Sequence, residues 1–291
     1  MLNVYEQVSR NKIRSGLIIV TFIIFITSIS YLITQYTGAG DGMIVSALGF
    51  SSLSGLVSFL YGDKIILSLN RARPANRKEF FNFYTVTENL ATANQIPVPQ
   101  IYVIDSPALN AFATGRDPDH ATICVTTGLL SKLNRTQLEA VIAHELSHIK
   151  NYDIRLMMIV SILVGSLSIL IRTTSRRSSS SSRKNNSSGI FTLIGFILLI
   201  FSPLIAKLIQ LAISRRREYL ADASAVKLTR QPQGLISALQ IISQDQNVLH
   251  SASTATASLY ISNPFKTNKI ASLFSTHPPI ENRIATLQQM L

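Results

Sequence analysis

Four long apolar runs, separated by stretches of helical or strand periodicity, organise this sequence of 291 residues. The first, residues 17–36, carries no charge and is long enough to cross about 30 Å of hydrocarbon as a helix. A second uncharged run, residues 42–62, follows the short Thr37-Gly38-Ala39-Gly40 connection and is rich in Ser and Gly, which suits a close-packed helical hairpin. Two further runs cover residues 156–171, short for a full span, and residues 189–206, where Pro203 sits near the end as a tolerated kink. An apolar core of this length, with no small-x-small cleavage site before the second run, reads as a retained anchor rather than a cleaved leader.

Between the runs the periodicity changes. Residues 80–95 predict a helix that Ile96-Pro97-Val98-Pro99 ends. Residues 101–104, 111–114 and 122–126 read as short strands, the last two separated by Gly115 and the Arg116-Asp117-Pro118-Asp119 turn, which predicts a small antiparallel sheet. Asn134 and Gln137 form a variant capping box, and Leu138, Val141, Ile142, Leu146 and Ile149 then recur at helical spacing, predicting a helix over 135–151. Later helices are predicted over 215–229, 235–243 and 280–291, the last begun after Pro278-Pro279. The fold class is α+β, predominantly α-helical, with a small antiparallel sheet and four apolar helices.

Composition agrees: 47% hydrophobic and 14% charged residues are too apolar for an ordinary soluble protein, so part of the chain lies in a lipid bilayer. The formal charge of +12 raises a nucleic-acid reading, but the cations flank the apolar runs. Arg10, Lys12 and Arg14 precede the first, Lys64, Arg71, Arg73, Arg77 and Lys78 follow the second, and Arg215, Arg216 and Arg217 follow the fourth. Positive charge there holds loops on the cytoplasmic side and touches anionic lipid, and no stacking aromatics interleave it, so no nucleic acid is expected as a partner. The linker 172–188, with Arg172, Arg176, Arg177, Arg183, Lys184 and a serine run, is expected to be disordered. Its charge breaks the positive-inside pattern, unless the third and fourth runs dip into the membrane without crossing. Cys124, the single cysteine, sits in a strand pattern as a small hydrophobe.

The chemistry is concentrated in His144-Glu145-Leu146-Ser147-His148. Two imidazoles four residues apart on a helix share one face and can grip one zinc ion, with the intervening glutamate as a base. Such a site needs a third protein ligand and leaves the fourth position for water. Arg217-Glu218-Tyr219-Leu220-Ala221-Asp222 offers two carboxylates a turn apart: Glu218 can reach the metal while Asp222 bonds a ligand histidine. Surface helices also carry such acid pairs, so this spacing alone leaves both readings open.

Taken in order, the His144–His148 motif with Asn151 and Asp153, then Glu218 and Asp222, then Ser275-Thr276-His277-Pro278-Pro279, resemble the HtpX family of membrane zinc metalloproteases. Asn110-Ala111-Phe112-Ala113-Thr114-Gly115 is similar to that family's edge strand, and the match covers nearly the whole chain. The resemblance implies a zincin-like protease domain binding one Zn2+ through His144, His148 and Glu218. Glu145 would be the general base, with Asp222, Asp153 and Asn151 around the ligands. It implies His277 as a second donor to the developing oxyanion, although a histidine that merely packs against the diproline turn is the alternative. Residues Asn110, Ala111, Phe112, Ala113 and Thr114 would bind an extended substrate as an added strand, or form a plain internal strand. The implied function is an endopeptidase that degrades misfolded, damaged or misassembled (membrane) proteins as part of an envelope stress response, multi-pass in a bacterial cytoplasmic (inner) membrane, with its protease domain on the cytoplasmic side. The division that follows is a two-helix anchor over 1–62, a first protease part over 63–153, the third and fourth apolar helices over 154–211, and a second protease part over 212–291. An intramembrane site-2-type protease is the alternative enzyme, yet Glu139, Lys150 and Asp153 surround the motif and Asn263-Pro264-Phe265 lacks the aspartate it needs. A scaffold with a structural zinc site would favour four protein ligands, often cysteines.

Overall fold

A computed structural model of the chain describes residues 4–38, 40–180, 215–253, 256–265 and 278–291. Two long helices lead, α1 (Val4–Thr37) and α2 (Gly42–Leu69), reversed at Gly38, whose φ of 68° suits a residue without a Cβ. There follow β1 (Arg73–Pro74), α3 (Phe81–Ala93), β2 (Gln100–Ile104), β3 (Ala111–Gly115), β4 (Ala121–Thr126), α4 (Thr127–Lys132) and α5 (Arg135–Lys150). The remaining helices are α6 (Asp153–Ser180), α7 (Arg215–Thr229), α8 (Pro232–Gln244) and α9 (Ile280–Gln288).

Helices α1 and α2 are long and apolar enough to cross a membrane. Each turns one apolar face outward, through Leu17, Val20 and Ile24 on α1 and Val45, Leu53 and Leu56 on α2, as lipid contact requires. Their inner faces pack on each other and on α6. On α2 the buried stripe is Ser51, Gly55, Ser58, Gly62 and Ile66, so small residues set the approach. A Cβ at Gly55 would lie 2.8 Å from Ile19 Cγ2, and one at Gly62 would lie 2.7 Å from Met158 Sδ. Both glycines therefore face helices too near for a larger side chain.

The sheet has the order β1-β2-β4-β3. It is mixed rather than antiparallel as expected, because β4 runs parallel to β2 while β1 and β3 run antiparallel to their neighbours. The cause lies in the connections. Residues 105–110 reverse the chain after β2, but leave a gap one strand wide, and the β3–β4 hairpin folds β4 into it. That hairpin turns at Gly115, φ 141°, where a Cβ would sit 2.3 Å from the His120 carbonyl oxygen. Alternation along the strands then splits the core in two. Ile101, Val103, Ala111, Ala113, Ile123 and Val125 pack on α3 and α5, whereas Ile104, Phe112 and Cys124 face α6 and the membrane helices. Burial pushes the Cys124 thiol well above its ordinary pKa, consistent with a small hydrophobe.

The third apolar run lies within α6, where Leu156, Met157, Met158, Ile159, Val160 and Leu163 are all buried between the sheet and α1–α2. Its early hydrophobicity thus serves the protein core. The helix continues through residues 172–180, the first part of the serine-rich linker. The rest of the linker and the fourth run lie outside the described residues.

Replacing Gly62 with leucine forces α2 away from Met158 and Ile162, and is expected to cost about 1–3 kcal/mol, the usual range for overpacking. At Gly49 on the same helix, with no neighbour within 4 Å, the same change should be nearly silent. Thermal unfolding of the two variants in detergent reads the difference.

Candidate metal centre

Helix α5 begins where the sequence places it. The Asn134 side chain accepts from the Gln137 N–H and the Gln137 side chain accepts from the Asn134 N–H, a reciprocal capping box. From that start, His144 and His148 fall on one face, one turn apart. Val141, Ile142, Leu146 and Ile149 lie in the cluster beneath the sheet, while Ala140 and Ala143 pack near Ala225 of α7. Alanines on this face let α7 come close, and α7 carries Glu218 and Asp222 on the side that meets α5.

The geometry converges on one point. His144 Nε2 and His148 Nε2 are 3.2 Å apart, the rings nearly perpendicular at 87°. Glu218 places its two carboxylate oxygens 3.7 Å from His144 Nε2 and 3.6 Å from His148 Nε2. Donors about 2.0–2.1 Å from a tetrahedral ion stand about 3.3 Å from one another, so the three separations come within a few tenths of an ångström of that spacing. Among the described residues these three could hold a metal ion.

The other ring nitrogens are fixed by carboxylates. His144 Nδ1 lies 2.9 Å from Asp222 Oδ1, and His148 Nδ1 lies 3.1 Å from Asp153 Oδ2. Ionised carboxylates only accept, so each Nδ1 keeps its proton and each Nε2 of a neutral ring turns a lone pair toward the shared point. Two lone pairs 3.2 Å apart beside a carboxylate repel unless a proton or a metal cation sits between them. The local charge agrees. Glu145, Glu218, Asp153 and Asp222 are all buried, and of the guanidiniums described near them Arg283 is buried and Arg217 nearly so. Four buried carboxyl groups face two guanidiniums, an excess of acid that a divalent cation would offset.

Arg283 is the keystone on the His144 side. Fully buried, it donates from Nε to Asp222 Oδ2 at 2.9 Å and from Nη2 to Asp222 Oδ1 at 2.6 Å, a bidentate clamp. Burial pushes the Asp222 carboxyl up, but the charge of Arg283 and the hydrogen bonds from His144 and Arg283 outweigh it, pushing its pKa down to about 2. For His148 burial pulls the pKa down. The bond to Asp153 and the negative charges of Glu218, Asp153 and Glu145 reverse this and raise it to about 9 without an ion. On that side Asp153 Oδ1 accepts from Arg217 Nη1 at 3.0 Å and from Asn11 Nδ2 at 2.8 Å.

The remaining candidates fall in different places. Asn151 does not reach the ligands: its side chain donates to Ser147 Oγ at 3.4 Å, and its carbonyl oxygen accepts from Asn11. It sits there because it ends α5, where the last turn's polar groups need partners. His277 lies outside the described residues. Strand β3 is at the sheet's end, as an edge strand must be, but its first residues are already paired within the chain. Ala111 O accepts from Ile261 N, and the Asn110 amide exchanges bonds with Ser262. Phe112 packs edge-on against Tyr260, ring centres 5.1 Å apart, facing α6.

Sequence reasoning missed Arg283 and Asn11, and placed Arg217 at the lipid surface, where instead it forms a nearly buried ion pair with Asp153. Arg283 had a signal: it shares the apolar face of α9 with Ile280, Ile284 and Leu287, and a cation on such a face must find an acid.

Similarity to known proteins agrees with this geometry. Residues 78–291 match the family model described as Peptidase family M48. The chain is 41% identical over 298 residues to a Protease HtpX homolog of Streptococcus uberis, covering 98% of this chain and 99% of that protein. It is 41% identical over 287 residues to a Protease HtpX homolog of Dictyoglomus turgidum, covering 98% and 94%. Its fold is similar to the crystal structure of S. mikatae Ste24p, with a TM-score of 0.51 and 22% identity over 94% of this chain. The chain spans 62% of the length of that structure. With two apolar helices leading into a His-His-Glu centre, the chain belongs to peptidase family M48 and is a membrane metallopeptidase.

Proposed function

We propose that the chain is a zinc endopeptidase that hydrolyses unfolded or misassembled proteins, multi-pass in a bacterial cytoplasmic membrane with its protease domain on the cytoplasmic side. The observation that carries the reading is the convergence of His144 Nε2, His148 Nε2 and the Glu218 carboxylate at 3.2–3.7 Å separations. These three residues would hold one Zn2+. When bound, the ion supplies Lewis acidity, polarising a peptide carbonyl and acidifying a water toward a pKa of ~7. The cations before α1's apolar run and after that of α2 support the orientation.

The chain's own groups account for the proton traffic and the positioning. Glu145, next to His144 on α5, takes the proton of the attacking water on a carboxylate oxygen and gives it to the leaving amine nitrogen. Asp222 and Asp153 hold a proton on each Nδ1 and so aim the two rings, and Arg283 keeps Asp222 ionised. His277 is assigned the second donor to the developing oxyanion. Along β3, Ala111 turns its backbone outward to Ile261, so by alternation Ala113 and Gly115 also present their N–H and C=O groups away from β4. A substrate strand would pair there, recognised through its backbone and so with little sequence preference.

A site-2-type arrangement is disfavoured because α5, which bears both histidines, packs under the sheet and is not among the two candidate spans. The structural-zinc alternative is disfavoured by the protease family and by Glu145, buried beside the ligands yet outside the His-His-Glu set.

Two experiments test the proposal. Glu145→Gln should retain one zinc per chain and lose casein cleavage by at least about 100-fold, as removal of a general base does, while His148→Ala should lose both metal and activity. Cleavage by Glu145→Gln at the wild-type rate would remove it from the role of base. For strand addition, N-methylating a peptide substrate at successive residues should lower kcat/KM about 3- to 10-fold at alternate positions only, the worth of one hydrogen bond. A flat profile along the peptide would exclude pairing to β3.

A further inference from the structure

The first helix does more than anchor. Helix α1 is 34 residues long, about 50 Å at about 1.5 Å per residue, and so exceeds the hydrocarbon thickness of about 30 Å. The excess precedes residue 17 and reaches the metal centre. Asn11, Ser15, Ile18, Phe22 and Phe25 form its buried stripe, and Asn11 is 3% exposed. Its side-chain amide has two N–H donors, and both find acceptors: Asp153 Oδ1 at 2.8 Å and the Asn151 carbonyl at 2.9 Å. Those acceptors bracket the α5–α6 turn at Tyr152, whose φ is 59° and whose ring carries Lys12 Nζ at 4.4 Å from its centre. Asp153 in turn holds His148 Nδ1 through its other oxygen, at 3.1 Å.

We infer that Asn11 is a positioning residue of the metal centre, through which the membrane helix sets the carboxylate that aims His148. The inference rests on the proposal that His148 is a metal ligand. Arg217 also donates to Asp153 Oδ1, but it brings a charge, whereas the amide of Asn11 orients the carboxylate without neutralising it. Asn11 also ties that carboxylate to the end of α5, so the two ends of the His148 support cannot drift apart. Asn11 lies before the region matched by the family model, residues 78–291, and among the described residues no side chain of that region makes the same pair of bonds. Removing it leaves Asp153 held at Oδ1 by Arg217, the partner donating there from the protease domain among those described.

The test is zinc affinity of the full chain in detergent, stripped of metal and titrated against a competing fluorescent zinc chelator. Asn11→Ala should raise the zinc Kd about 10-fold, the lower end of what loss of an indirect support costs a metal site. Ser15→Ala removes a neighbouring polar group of the same stripe whose hydroxyl donates to the Asn11 carbonyl at 2.8 Å and not to Asp153, and its Kd should stay at the wild-type value. The zinc-induced rise in Tm provides a second reading: it should shrink for Asn11→Ala and not for Ser15→Ala, whatever the Tm of the metal-free variants. An unchanged Kd for Asn11→Ala, or equal losses in both variants, would overturn the inference and reduce the stripe to packing. His148→Ala serves as the reference. If it binds zinc like the wild type, the ligand assignment itself fails, a result separate from an intact His148 dependence with an indifferent Asn11.

Discussion

An imidazole offers a metal a lone pair at Nε2 only while its proton stays on Nδ1, and in a buried site that requires a carboxylate held in place to receive it. The rest of this structure can be read as the means of holding two such carboxylates. Asp222 sits one turn beyond Glu218 on α7, so the helix that brings an oxygen donor also brings the support for His144. Asp153 begins α6 directly after the α5 turn, so the helix bearing His148 is supported by its successor. Each carboxylate is buried and would be costly alone. Each is therefore gripped by a guanidinium, Arg283 on α9 for one and Arg217 on α7 for the other.

Much of this was legible in the residues. The capping pair Asn134 and Gln137 fixes where α5 starts, and that start fixes the face on which His144 and His148 lie. The Glu218–Asp222 spacing is equally local, because a helix enforces it. The sheet was less legible. Its three principal strands could be placed from alternation, but β4 lies between β2 and β3 through a choice of connection, and nothing within the strands themselves encodes which neighbour is parallel. Arg283 could have been found from its place among Ile280, Ile284 and Leu287. Asn11 could not, since a polar residue between Arg10 and Lys12 looks like the solvated end of a helix until its partner 142 residues away is known.

Hydrophobicity is ambiguous in the same way. The runs in α1 and α2 leave apolar faces outward, whereas the start of the run in α6 is consumed by contacts with the sheet and with Gly62. The same composition thus serves lipid contact in one helix and core packing in another. The sheet, lined by α5 on one face and by α6 with the membrane helices on the other, packs the bilayer-facing part of the chain against the part that bears the metal centre.

The central claim is that one ion is held by two imidazoles and one carboxylate from two helices, and X-ray absorption at the zinc edge of the purified protein tests it most directly. The account predicts four nitrogen or oxygen donors at about 2.0–2.1 Å with the outer scattering of two imidazole rings. A sulfur donor, or a spectrum with fewer than two imidazoles, would contradict it.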